Sequence, residues 1–131
     1  MHPPHYFFAL FGDPDTPDKD PVEAGLYRPD PRLAPFAPCP GDALLLYCNQ
    51  GYAKYAGTAP GVGLVLFTDR EAIRYRYLPL AQAVAKKHIE QAFGADDLAR
   101  FRNRRSFRSW LFQIARESFV AAIGGQAIEW P

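Results

Sequence analysis

The chain has 131 residues, 48% hydrophobic and 15% aromatic, enough for one domain with a sizeable core. Its two cysteines form no CxxC or Cys/His cluster, which argues against a structural zinc site, and no apolar run approaches the ~18 residues of a membrane span. The net charge of +1 hides an asymmetry: residues 1–69 carry eight acids against four bases, and residues 70–131 carry eleven bases against six acids. A basic second half suits a phosphate-bearing partner. No secretory apolar segment follows Met1. The expectation is a single cytoplasmic domain over residues 1–131, with reduced thiols, no cofactor and no metal.

Residues 5–11, HYFFALF, predict a buried strand that Gly12-Asp13-Pro14 stops. Residues 13–38 are acidic and then proline-rich, with a short helical turn near Val22 to Leu26. Leu26, Tyr27, Leu33 and Phe36 make this an excursion packed over one end of the fold rather than a linker. Pro40-Gly41-Asp42 is a turn, and Ala43 to Cys48 form a strand apolar enough to be buried on both faces. A loop with Tyr47, Asn49, Gln50, Tyr52 and Tyr55 follows. Gly61 to Phe67 form the next strand, whose glycines suggest a bulge or bend.

Ala72 to Leu80 alternate, with Ile73, Tyr75 and Tyr77 on one face and Arg74 and Arg76 on the other: a half-exposed strand. Residues 81–93, AQAVAKKHIEQAF, have helical spacing through Val84, His88 and Ile89, with Gly94 as a cap. Asp96 to Phe101 read as a further helical turn and Asn103 to Ser106 as a basic loop. Phe107 to Ile114 read as a strand, with a helix as competitor, and Arg116 to Ile123 as a helix ending at Gly124-Gly125. Ala127 to Trp130 suggest a short last strand. The sum is an α+β fold: a small, mostly antiparallel β-barrel with two or three helices.

Three pieces resemble the EVE and YTH branch of the PUA-like barrels. YFFALFGDPD (6–15) is similar to the family's first strand. CPGDALLLYCNQ (39–50) resembles its Pro-Gly-Asp turn, apolar strand and polar exit. PGVGLVL (60–66) is similar to the strand that follows. The first strand lacks the family's usual tryptophan, and AGLYRPDPRLAPF replaces its early helix. The resemblance implies a non-catalytic module that binds DNA or RNA and reads one base, plain or modified, in an aromatic pocket.

Aromatic faces stack on a base for roughly 1–3 kcal/mol each, and carboxamides present a donor and an acceptor to its edge. The base-pocket candidates are Gly12, Asp13, Tyr47, Asn49, Gln50, Tyr52, Tyr55 and Trp110, each of which can equally be a turn or core residue. Arg100, Arg102, Arg104, Arg105 and Arg108, with Phe101 and Phe107 between them, are phosphate-binding candidates, since a planar guanidinium fits phosphate; a solvated loop is the plain alternative. Two other readings stand beside these. One is a small nucleotide- or RNA-acting enzyme using Asp13, Cys48 or His88. The other is a protein-interaction domain with an acidic partner. His88, on an apolar stripe, reads as a core histidine. The acidic run from Asp13 to Glu23 lacks the glycine and terminal glutamate of a calcium loop.

Overall fold

A computed structural model describes residues 4–11, 22–28, 38–49, 54–69, 72–93 and 109–128. In chain order these form β1 (Tyr6–Phe11), a 3-10 turn (Val22–Ala24), β2 (Leu26–Tyr27), β3 (Ala43–Cys48), β4 (Thr58–Thr68), β5 (Ile73–Ala85), α1 (Lys86–Ala92), β6 (Ser109–Ile114) and α2 (Arg116–Ala122). The strands make one sheet in the order β2-β5-β4-β3-β1-β6. It curls into a half-barrel.

The expected α+β class holds, but the sheet is mixed and is not clearly a closed antiparallel barrel. β1 and β3 run parallel, Tyr6 opposite Ala43 through Phe11 opposite Cys48. The cause is the long connection between them. Parallel neighbours need a crossover of a dozen residues or more, and the excursion holding β2 supplies it. All other pairings are antiparallel.

β1 and β3 are buried on both faces, so alternate residues feed two cores. On one face Phe8, Leu45, Tyr47, Phe112 and Ile114 pack against Ile89 of α1 and Phe119 and Ala122 of α2. On the other, Phe7, Ala9, Phe11, Leu44, Leu46 and Leu111 pack against Val22, Tyr27 and Tyr75. Each fully buried Phe or Leu here contributes about 1.5–3 kcal/mol. The second core lies inside the curl. There the Tyr27 hydroxyl, on edge strand β2, accepts from Leu10 N–H and donates to Leu10 C=O, both at 3.2 Å.

Gly61 and Gly63 have ordinary backbone angles; their role is close approach. A Cβ on Gly63 would lie 2.7 Å from the Tyr75 ring, and one on Gly61 would lie 2.7 Å from both the Tyr77 ring and Leu78 O. The two tyrosines of β5 thus pack closely on the bare backbone of β4, an aromatic covering of strand glycines.

The Pro-Gly-Asp turn has a specific anchor. Asp42 is 2% exposed and is the one buried charged residue among those described. Its Oδ2 accepts from Cys39 N–H at 2.8 Å and its Oδ1 from His5 N–H at 3.0 Å. One carboxylate therefore closes the turn and aligns the start of β1 with β3.

Residues 81–85 depart from the helical expectation. They stay extended, and the helix begins only at Lys86. Val84 and Ala85 pair with Ala59 and Thr58, and Lys86 N–H donates to Gly57 O at 2.9 Å. Tertiary pairing overrides the alanine-rich propensity. α2 ends where Gly124-Gly125 predicts. Gly124 N–H donates to Ala121 O and Gly125 N–H to Val120 O, with both glycines at positive φ; this is a Schellman cap. Residues 127–128 are not strand. The expectations for Asp96 to Phe101 and Asn103 to Ser106 lie outside the described residues. No helix among the described residues is long and apolar enough to cross a membrane.

Asp42→Ala removes the carboxylate acceptor of two backbone N–H groups and should lower unfolding free energy by about 1–3 kcal/mol, read as a drop in the urea midpoint. Gly63→Ala should cost about 1–3 kcal/mol, because the Tyr75 ring it strikes is 3% exposed and its hydroxyl is tied to Val22 O; thermal unfolding reports it.

Candidate functional site

The loop after β3 enters from the sheet through Asn49, whose N–H donates to Phe11 O at 3.1 Å. It returns as a turn over Lys54–Gly57. The Thr58 N–H and hydroxyl both donate to Tyr55 O, at 3.0 and 2.9 Å, and fix the backbone that carries Tyr55. The Tyr55 ring packs against the core inside the curl and remains half-buried. Its hydroxyl donates to Glu23 Oε1. Lys54 Nζ reaches the same oxygen at 3.3 Å and lies 5.1 Å from the centre of the Tyr55 ring. Tyr77, half-buried on β5, packs against the same core.

The titrating groups register this crowding. Burial raises the Glu23 carboxyl, but hydrogen bonds from Tyr55, its own backbone and Lys54, with the Lys54 charge, outweigh it and hold it below 4.5. Lys54 is raised by hydrogen bonds to Tyr55 and Glu23 and by their charges. Burial, then the neighbouring Tyr55, Glu23 and Cys48, push the Tyr77 phenol up. Burial pushes the Cys48 thiol up to about 12, with Glu23 adding to it.

Tyr47 is elsewhere. It is 1% exposed in the helix-covered core, its ring stacked on Phe8 at 5.8 Å, and burial first, then Glu90 and Cys48, raise its phenol to about 12. Tyr47 and Tyr55 thus lie on opposite faces of the sheet and cannot sandwich one base between them. Asn49 is half-buried beside the turn that carries Tyr55. Trp110 stands opposite Leu10 in the β1–β6 ladder. Gly12, Asp13, Gln50 and Tyr52, and the arginines 100, 102, 104, 105 and 108, lie outside the described residues.

Of the residues named for the enzyme reading, Cys48 and His88 are separated and Asp13 lies outside the described residues. Cys48 is fully buried inside the curl. His88 is exposed on α1, not in the core, and its Nε2 lies 2.9 Å from Ala121 O near the end of α2. Cys39, exposed, and Cys48 are both free thiols at opposite ends of β3. Among the described residues no cluster of His, Cys, Asp and Glu could hold a metal ion.

Sequence reasoning did not pick out Glu23, Lys54 or Tyr77 as site residues. The signal available was Lys54 beside Tyr55, and the Tyr75/Tyr77 alternation that points Tyr77 inward. No family model, curated protein or solved structure matches the chain.

Because the Glu23 carboxyl is lowered in the fold, its stabilisation is complete above its unfolded value of 4.5 and is lost as pH falls through the lower folded value. Tyr55→Phe removes the hydroxyl bond that lowers it. The loss of stability between about pH 6 and about pH 3 should therefore be smaller in Tyr55→Phe than in the unmodified chain, as measured by urea unfolding at each pH.

Proposed function

We propose that the protein is a non-catalytic, PUA-like module that binds DNA or RNA and holds one base, plain or modified, against Tyr55. The observation that carries this reading is the Tyr55–Glu23–Lys54 arrangement beside the core inside the curl. It combines the three chemistries a flipped base requires. The half-buried Tyr55 ring offers a stacking surface, held in place by its hydroxyl bond to Glu23. The part-exposed Glu23 carboxylate accepts from an exocyclic amine or ring N–H, favouring bases with a donor edge. The Lys54 ammonium, on a side chain 69% exposed, reaches a flanking phosphate.

Asn49 borders this site and Tyr77 extends its aromatic wall. In this reading Gly12, Asp13, Gln50 and Tyr52 belong to the pocket, and Arg100, Arg102, Arg104, Arg105 and Arg108 contact the backbone of the nucleic acid; Trp110, whose register partner Leu10 belongs to the helix-covered core, goes with Tyr47 rather than with Tyr55. Tyr47 supports the sheet beneath and does not touch the base.

The test is fluorescence anisotropy with short single- and double-stranded DNA and RNA, with and without modified bases, at two salt concentrations. One oligomer should bind above the rest, Tyr55→Ala should weaken it about tenfold or more, and Arg104→Ala with Arg105→Ala should flatten the salt dependence. Absence of binding to every oligomer at low salt overturns the proposal.

A further inference from the structure

Tyr55 is shaped as a platform for a base, yet the platform is covered. The ring packs against the core inside the curl. Over it stands the Lys54 ammonium, 5.1 Å from the ring centre, on a side chain 69% exposed. An incoming base and this ammonium compete for the same ring.

The parts differ in how firmly they are set. Glu23 belongs to a turn tied down on both sides. Val22 is fully buried and its C=O accepts from the Tyr75 hydroxyl, while Gly25 C=O accepts from Tyr75 N–H at 2.9 Å. The Tyr55 backbone is fixed by Thr58, and its hydroxyl donates to Glu23 Oε1. Lys54 keeps its place over the ring by its side chain, through the bond to the same oxygen at 3.3 Å and the ring contact. Both are exposed interactions, each worth a factor of a few in an equilibrium, and the ammonium rides on a flexible stem. The Tyr55 hydroxyl has its own bond to Oε1, so the ring stays oriented when Lys54 leaves.

A neutral base gives a departing ammonium nothing to replace the carboxylate. A phosphate does, since an ammonium forms charge-assisted hydrogen bonds with either anion. We propose that Lys54 makes this site selective for bases that carry a phosphate: it covers Tyr55 until a phosphate attached to the incoming base draws the ammonium from Glu23 and clears the ring. The inference rests on the base-binding reading above and adds a requirement to it. Lys54 is a specificity-determining residue, and a nucleoside without phosphate must displace it with no compensating contact.

The probes are the four common ribonucleosides and their 3′,5′-bisphosphates, titrated with the full chain. The readout is the ring-proton NMR signals of Tyr55, which a stacked base moves upfield. The bisphosphate of the favoured base should shift these signals, and its nucleoside should bind about tenfold more weakly or worse. Lys54→Ala should move the two affinities in opposite directions: the nucleoside binds about threefold more tightly, and the bisphosphate about threefold more weakly. Lys54→Arg keeps a cation and should restore the preference for the bisphosphate.

Three results would each overturn the inference: no gain for the nucleoside in Lys54→Ala, no loss for the bisphosphate, or unmoved Tyr55 signals with every bisphosphate in the unmodified chain. The oligomer titration with Tyr55→Ala decides the base-binding reading separately. An oligomer whose binding depends on Tyr55, with nucleoside and bisphosphate responding alike to Lys54→Ala, removes the gate and leaves that reading standing.

Discussion

The half-barrel depends on one phenol. β2 and β1 are four positions apart in the sheet. In a flat sheet that separation is about 19 Å, well beyond any side chain. Yet the Tyr27 hydroxyl on β2 touches both backbone groups of Leu10 on β1, so the sheet must curl. The need for the curl is already in the composition of the strands. β1 and β3 are apolar on both faces, and the two described helices, seven residues each, cover only one. The sheet covers the other by folding toward itself; Tyr27 spans the enclosed space to Leu10, and the Tyr75 hydroxyl ties β5 to Val22 O in the turn before β2.

Much of this was legible in the chain. β1 and β3 are short apolar runs with clear stops, and the Gly-Gly pair marks the end of α2. The Pro-Gly-Asp turn was recognisable, although its reason, a buried carboxylate serving both Cys39 and His5, was not. The misreading of residues 81–85 has a physical cause. Alanine-rich sequence has no local memory of a strand, and the groups that hold it extended, Ala59, Gln126 and Gly57, are distant in sequence. The site was legible in part. Tyr55 was visible as a loop aromatic beside a lysine. Its partner Glu23 comes from the proline-rich excursion, and no periodicity links the two. Tyr47 and Tyr55 looked equivalent because the strand's exit hides which of the two cores each joins.

β5 changes character along its length. Its first half presents Tyr75 and Tyr77 to glycines on β4 and carries the aromatic wall toward Glu23. Its second half leaves the ladder from Leu80 to Ala83 and rejoins it at Val84. Within that break the Gln126 carboxamide takes the place of a strand partner and satisfies both backbone groups of Gln82.

The order of strands also governs how the protein is made. β1 lies between β3 and β6 and is synthesised before both, so one of its edges is satisfied early and the other only when residues 109–114 have emerged. Until then Phe7, Phe8 and Phe11 sit on a strand with an open, aromatic flank, the kind of edge that pairs with another nascent chain. The sheet therefore completes late, and the aromatic strand β1 is the one that a holding chaperone would need to shield during translation.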